Sequence, residues 1–516
     1  MIKNKAIKSS IIVMILIIMG KVLALVRDSL IAANFGATYV TDIYNFALGI
    51  VYLLTTIGYG LTTTFIPLHT ENIHSSSKED KGKFVNNVIN VFMIATLIVT
   101  VILIIFAKYI IFIFAPGFNA DPKVFESAVG LTRIMLLSLV FISLQSVVTG
   151  VLQSHKQFLE PAAMAFVSNL VYIIYLVFLT KKYGMNGFAI AIVLGFFMQF
   201  IINVPKFKKL GYKYKPFINT HDPQLKNMFK LMIPVVISTS VIQLNVFVNR
   251  SFATSIYFGA VTVLDFANKV NTLAYEVFAI GIAMIIFPTL SELAVAGKRE
   301  EFKKSLIQGI NIILLIMVPA AVAIAILRMP LIIMIFKRGA FDAKASLLTA
   351  NALLFFTPAM IAYGVRDILN KAYYSIKDMK TPMINSFVGI LLNIVINIFI
   401  VKYMAVSGLT LATSISVIVT TILMFISLNK KLEGINLRQM FKTFAKIVSS
   451  SAIMGIVIFF INHLSILRYG ASMKGSLVSI FASFIFGVIV YLVCIYLFKI
   501  KEFLYIVNLY KNRKSA

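Results

Sequence analysis

One cysteine in 516 residues, Cys494, excludes an intramolecular disulfide and any cysteine-based metal cluster. Its position inside the last apolar run marks it as packing. The five histidines, His69, His74, His155, His221 and His463, stand in or near expected loops without zinc-ligand spacing. No Walker-type glycine loop is present, so direct ATP hydrolysis is not expected. No Ser/His/Asp set or carboxylate pair falls in an evident cleft, and the chain reads as a non-enzyme with no cofactor. Acidic residues are scarce as well: 19 against 48 lysines and arginines, a net charge of +29. In a soluble protein that balance would suggest nucleic acid. Here the basic residues concentrate between apolar runs, where they set membrane topology and attract anionic headgroups, so no nucleic-acid partner is expected.

What is abundant is hydrocarbon. Hydrophobic residues make up 60% of the chain and the mean hydropathy is +0.94, so lipid must surround most of it. Runs of about 20 apolar residues predict fourteen spans between residues 9 and 498, an all-α integral membrane fold. The first run, after the basic Lys3, Lys5 and Lys8, outlasts a signal h-region and has no small-residue cleavage site, so no cleavable signal is expected. Lys78, Lys81 and Lys83, the lysines from Lys206 to Lys226, Lys298 to Lys304, Lys430 to Lys442, and the tail with Lys511, Arg513 and Lys514 share one side. The positive-inside rule makes that side, and both termini, cytoplasmic.

The chain also writes one stretch twice. Phe35-Gly36-Ala37, Asp42 and Asn45 return as Phe258-Gly259-Ala260, Asp265 and Asn268, an offset of 223. Pairs such as Pro67 with Pro288, Pro161 with Pro382 and Gly187 with Gly408 keep offsets of 221. Two six-helix repeats of like orientation follow, a parallel duplication of the kind that rocks about a path between lobes. The expected domains are 1–210, a linker at 211–223, a second lobe at 224–432, and an accessory helix pair with a basic tail at 433–516.

Ionisable groups inside spans cost a few kcal/mol each and by default mark a site or path. The first span carries Lys21, Arg27 and Asp28, with Lys21 near mid-depth. Lys21 and Asp28, seven apart, share a face while Arg27 is rotated away, so a bend at Gly20 is expected. An Arg27–Asp28 pair that only joins helices is the plainer alternative. Asp42 and Asp265 recur beside the repeated glycine, as helix caps would, or as cavity groups along with Asn45, Asn268 and Glu276. Lys269 has no basic counterpart in the first repeat, where Phe46 aligns, so packing symmetry does not explain it.

Gly20-Lys21-Val22-Leu23-Ala24-Leu25-Val26-Arg27-Asp28, then Phe35-Gly36-Ala37 and Thr41-Asp42, resembles the first-span signature of the MurJ (MviN) lipid II flippases. The likeness continues through Phe287-Pro288-Thr289-Leu290-Ser291 and Lys380-Thr381-Pro382. It implies the two-lobed, fourteen-helix fold of the multidrug/oligosaccharidyl-lipid/polysaccharide exporters and a place in a bacterial plasma membrane. The implied cargo is an undecaprenyl-pyrophosphate-linked precursor, among membrane lipids and cell-wall synthesis proteins, and the implied mechanism is alternating access. By that likeness Lys21, Arg27, Asp28 and Lys269 meet the pyrophosphate. A sodium site would fall near Asn249, Asn393, Asn397 and Thr413, and coupling to sodium or to the membrane potential is implied. At Leu53-Leu54-Thr55-Thr56 the family's span-two arginine is missing. A flippase for another polyprenyl-linked saccharide and a cation-coupled drug exporter are the alternatives the residues leave open.

Overall fold

The computed structural model describes residues 2–75, 77–435 and 437–503. Among them there is no strand, and fourteen α-helices carry the fold: α1 (Ile2–Phe35), α2 (Tyr39–Ser75), α3 (Lys78–Phe114), α4 (Pro122–Leu136), α5 (Ser138–Ser154), α6 (Leu159–Phe178), α7 (Thr180–Lys209), α8 (Pro223–Thr254), α9 (Ala260–Val295), α10 (Arg299–Ile335), α11 (Ala343–Ser375), α12 (Lys380–Lys431), α13 (Leu437–Tyr469) and α14 (Met473–Leu497). These are not one-to-one the fourteen expected spans. The fourth is α4 and α5 taken together, with helical backbone at Leu137, and the eleventh and twelfth are the two arms of α12 on either side of a kink at Ala405. By length and apolarity, ten helices among the described residues qualify to cross a membrane, or eleven if the bent pair Pro223–Val241 and Gln243–Thr254 is one span. The chain is a multi-pass membrane protein. The basic tail with Lys511, Arg513 and Lys514 lies outside the described residues.

The duplication is written in the backbone. Residues with left-handed φ recur at the repeat offset: Gly36 (+64°) with Gly259 (+100°), Lys156 (57°) with Lys377 (59°), Gly184 (56°) with Ala405 (50°), and Gly211 (92°) with Gly434 (98°). Gly184 and Ala405 form the tight reversals inside α7 and α12, with ψ near −148° and −133°. An L side chain rarely adopts that conformation, so the second repeat holds strain that the first avoids with glycine.

The chain clusters into two compact units. One holds α1 to α8, the first residues of α9 and Gly339–Phe341; the other holds the rest of α9 and α10 to α14. In the first unit, Leu61 and Phe65 of α2 pack on Phe84, Val88 and Phe92 of α3, with Phe207, Tyr212 and Met228 completing the cluster. The second is centred on α10, where Leu306, Ile310, Ile313 and Met317 meet Ile368 and Leu369 of α11, Met454 of α13 and Tyr491 of α14. Large apolar side chains such as Phe112 and Phe484 point outward, as lipid-facing residues do. Because lipid is as apolar as a core, helix association rests on close packing and buried polar bonds. Gly60 illustrates the first: a Cβ there would stand 2.6 Å from Val236, so glycine lets α8 lie against α2.

The linker is strapped to α3. Asn86 donates to the Lys213 carbonyl (3.0 Å) and accepts from the Lys215 amide (2.9 Å). Asn90 donates to the carbonyls of Lys215 and Phe217 (3.0 and 3.1 Å) and accepts from the Tyr214 hydroxyl (2.8 Å). Asn87 exchanges bonds with the Asn219 backbone at 2.9 and 2.7 Å. Beside it, the Tyr212 hydroxyl lies 2.9 Å from Nε2 of both His69 and His155. One hydroxyl donates to one ring while accepting from the other, so the two histidines take opposite roles. Burial, then the nearby Lys81 cation, holds His155 below its ordinary value, and burial pushes the Tyr212 hydroxyl up to about 12.

Candidate functional site

The first-span charges occupy one stretch of α1. Lys21 is the twentieth of its 34 residues, roughly 20 to 30 Å from either end at 1.5 Å per residue. It lines a cavity of about 480 Å³ between α1, the end of α5 and α6, together with Gly20, Ala24, Gln153, Ala162, Ala165 and Asn169. The helical backbone runs through Gly20 without interruption. Its absent side chain serves another purpose: a Cβ there would stand 3.2 Å from that of Ala165, so glycine brings α6 close. This is contact rather than the expected break.

Arg27 is held on several sides. Its Nε and Nη2 donate to one oxygen of Asp28 at 3.0 and 2.8 Å, and its Nη1 donates to Asn169 Oδ1 at 3.1 Å. The guanidinium also lies 5.9 Å from the centre of the Tyr172 ring. The neighbouring carboxylate therefore balances the Arg27 charge, which is the plainer alternative read from the sequence. Asn169 was not foreseen. It is 5% exposed, and its amide also donates to the Gly20 and Ala165 carbonyls at 3.2 and 2.8 Å, locking α6 onto α1. An asparagine inside an apolar span was the available signal.

Asp42 is a cap, but of a different helix. Its carboxylate accepts from the Gly259 amide (2.5 Å), the Thr262 amide (2.8 Å) and the Thr262 hydroxyl (2.6 Å) at the start of α9. Those are the orphan donors of a helix N-terminus, where the macrodipole also favours an anion. Asn45 lies 3.5 Å from the same hydroxyl. Glycine is required here twice over: Gly259 takes a positive φ, and a Cβ on it would stand 2.4 Å from the Ala37 carbonyl oxygen. Arg250 of α8, 8% exposed, uses a notch in α2, since a Cβ on Gly49 would stand 2.4 Å from its Nη1.

Lys269 belongs to the second unit, its ammonium 5.1 Å from the centre of the Phe266 ring, a cation–π contact. Asp265 beside it is 3% exposed, Asn268 accepts from Thr272 at 3.4 Å, and Glu276 is half-buried. In the same unit the Tyr275 hydroxyl donates to Asp367, and Arg366 donates to Ser386 at 2.7 Å. Neither tyrosine nor serine was foreseen as a partner there.

The neutral set read as a sodium site is bonded partly within itself, and among the described residues the buried Asn397 Oδ1 accepts no hydrogen bond. Asn393 donates to the Thr413 hydroxyl (3.3 Å), Asn397 donates to the Asn393 carbonyl oxygen (3.1 Å), and Thr413 donates to the Leu409 carbonyl (2.9 Å). Asn249 donates to Asn245 at 3.5 Å and belongs to the first unit. The set contains no carboxylate. No group of three or more His, Cys, Asp or Glu among the described residues is arranged to hold a metal.

The family model described as "Lipid II flippase MurJ" matches residues 31–483. The lipid II flippase MurJ of Burkholderia cenocepacia is 27% identical over 422 residues, 80% of this chain and 82% of that one. A probable lipid II flippase MurJ of Rickettsia prowazekii is 28% identical over 494 residues, 93% of this chain and 96% of that one. A solved structure of lipid II flippase MurJ in an inward closed conformation superposes with a TM-score of 0.80 at 27% identity, covering 95% of this chain and 98% of that one. With the helical fold and the first-span charges already described, the match over most of its length shows that this chain belongs to the lipid II flippase MurJ family.

Proposed function

We propose that the chain moves lipid-linked peptidoglycan precursor, an undecaprenyl-pyrophosphoryl disaccharide peptide, from the inner to the outer leaflet of the bacterial plasma membrane. The observation that carries this is Lys21: a cation at mid-length of α1, lining a cavity, in a chain of this family. A pyrophosphate crossing hydrocarbon needs charge-assisted bonds at mid-depth, and Lys and Arg supply them. In this reading Lys21 and Lys269 contact the anion. Arg27, held by Asp28 and Asn169, offers its remaining N–H donors from a fixed position. The headgroup enters from the cytoplasmic side, the polyprenyl tail stays in lipid, and alternating access exposes the headgroup outside. No covalent chemistry is involved.

In this reading the membrane potential or sodium drives the cycle. Each charge crossing the full field is worth about 2.3 kcal/mol per 100 mV. Both termini lie in the cytoplasm in this reading, within reach of cell-wall synthesis proteins. The test is complementation of a bacterium depleted of its lipid II flippase. The wild-type chain restores growth, and Lys21→Ala and Lys269→Ala do not at equal protein level. Growth restored by Lys21→Ala, Arg27→Ala and Lys269→Ala alike would overturn the anion site.

A further inference from the structure

Where α10 and α13 close and α14 begins, the second unit carries positive charge that its topology does not ask for. Lys337 and Arg338 follow α10, Lys344 stands in the first turn of α11, and Arg468 and Lys474 flank the turn from α13 to α14. The basic segments 298–304 and 430–442 stand at the opposite ends of α10 and α13, so by the positive-inside rule this end is expected to be poor in Lys and Arg. Nor does duplication supply the charge. At the offset of 222 that pairs Phe114 with Phe336 and Gly117 with Gly339, Lys337 and Arg338 align with Ala115 and Pro116, and α13 and α14 have no counterpart in the first repeat.

The fold gathers these cations. The Lys337 ammonium donates to the Ala471 carbonyl at 3.3 Å, joining the two turns, and the Arg468 guanidinium and Lys474 ammonium each lie 5.6 Å from the centre of the Tyr469 ring. Arg338, Arg468 and Lys474 are exposed. The one carboxylate in these turns, Asp342, is committed to capping α11 through the Ala345 amide at 2.7 Å, and among the described residues none of the five cations makes an ion pair. Crowded like charges repel, and an anion brought to them lowers that cost. The surroundings choose the anion. Leu467 and Met473 beside the cations are 70% and 46% exposed, and Tyr469 between them is half-buried, the composition of a membrane interface where tyrosine sits at headgroup level. A soluble polyanion gains nothing from that apolar rim, whereas a phospholipid lays its chains on it and its phosphate on the cations. The crevice behind Ala471, lined by Pro330, Ile333, Ile466 and Gly475, holds about 20 Å³ against about 300 Å³ or more for a small-molecule site, so recognition falls on the headgroup and not on an inserted chain. We propose that this end of the second unit binds the phosphodiester of an anionic phospholipid, held by Arg468 and Lys474 beside Tyr469 and by Lys337 and Arg338 across the turn. The bound lipid ties the end of α10 to α13 and α14. The proposal goes beyond the flippase reading and does not depend on it.

The experiment uses the full chain in phosphatidylcholine nanodiscs containing a minor share of phosphatidylglycerol with a photoactivatable diazirine next to its headgroup, followed by irradiation and peptide mapping. Adducts are expected on residues 329–344 and 464–481, about ten-fold or more above those from phosphatidylcholine carrying the same diazirine, since each cation near an anionic lipid contributes about five-fold. Arg468→Gln with Lys474→Gln should cut the yield about ten-fold, and Lys337→Gln with Arg338→Gln about five-fold. Arg468→Lys with Lys474→Arg, which keeps the charge, should retain it, and added salt should lower it. Adducts on the basic segment 298–304 serve as the internal control and should not change in either glutamine pair, so a misfolded variant is recognised. Equal labelling of this end by the two lipids, adducts confined to other segments, or labelling unaltered by both glutamine pairs would each overturn the proposal. So would loss of labelling to a soluble polyglycerol phosphate at matched phosphate, which would make the surface a polymer site. Labelling is read without transport, so a failure of the flippase reading leaves this test intact.

Discussion

The turn between α5 and α6 and the turn between α11 and α12 are the same backbone fitted with different chemistry. In each, a lysine in the left-handed region closes the preceding helix, Lys156 at 57° and Lys377 at 59°. The next amide reaches back to the carbonyl five residues earlier: Gln157 to Leu152 and Asp378 to Tyr373, both at 2.9 Å. There the likeness stops. In the first turn Gln157 donates to the His155 carbonyl at 3.2 Å, and His155 serves the Tyr212 anchor of the linker. In the second Asp378 accepts from the Thr381 amide at 3.0 Å, from its hydroxyl at 2.7 Å, and from Lys431. Duplication preserved the hydrogen-bonded path of the main chain and released the side chains to specialise. The same division separates a first unit with Lys21, Arg27 and Asn169 on adjoining helices from a second with Lys269 against an aromatic ring.

The sharpest way to break that comparison is to remove the cation of one unit at a time. Lys21→Ala is expected to lower transport of a fluorescent lipid II in proteoliposomes about 100-fold, the loss of a charge-assisted contact in a poorly solvated place. Lys269→Ala should cost less, about ten-fold, because its ammonium already lies against the Phe266 ring. Equal losses would overturn that ranking.

Next in size is the Asp42 cap. Asp42→Ala removes three bonds to the start of α9 and should lower stability by about 2 kcal/mol, read as a fall in Tm in detergent. Asp42→Asn, which keeps an acceptor, should recover about half of that loss.

The paired reversals give a smaller and cleaner contrast. A Cβ on Gly184 meets nothing within 4 Å, so Gly184→Ala tests backbone strain alone and should destabilise by about 1–2 kcal/mol. Ala405→Gly should stabilise by about 1 kcal/mol or less. A swap with both signs reversed would show that the two turns are not equivalent.

The smallest effect is a pH dependence confined to the second turn. Although burial pushes the other way, bonds from Lys431 and Thr381 hold the Asp378 carboxyl down to about 2, against an ordinary 3.8. A depressed carboxylate contributes stability above its unfolded value and loses it as pH falls, here between about 4 and 2. The wild-type chain should lose a few degrees more in Tm over that window than Asp378→Asn. No such difference should follow from changing Gln157.

Much of this was legible in the sequence because it obeys periodicity or scarcity. Apolar runs of membrane length mark helices whatever their neighbours, and an offset of 223 survives wherever glycine has no substitute, as at Gly36 and Gly259. Lys21, Arg27 and Asp28 stood out because charge is rare in lipid. The polar partners did not. Asn169, Tyr172 and the Asn86, Asn87 and Asn90 strap meet residues 120 to 150 positions away, and nothing local encodes that. The expected break at Gly20 failed because a missing side chain admits either a bend or a close neighbour, and only the position of Ala165 decides.

The asparagine strap has a mechanical consequence. A connector left in solvent would act as a slack tether, free to lengthen and shorten through each transport cycle. This one is riveted along α3, and Asn72 at the end of α2 is tied to Gln224 at the head of α8 by amide bonds of 2.8 and 3.0 Å in both directions. Whatever swings during a cycle, the end of α2, α3, the connector and the first turn of α8 travel as a single rigid part, and the compliance must come from elsewhere in the chain.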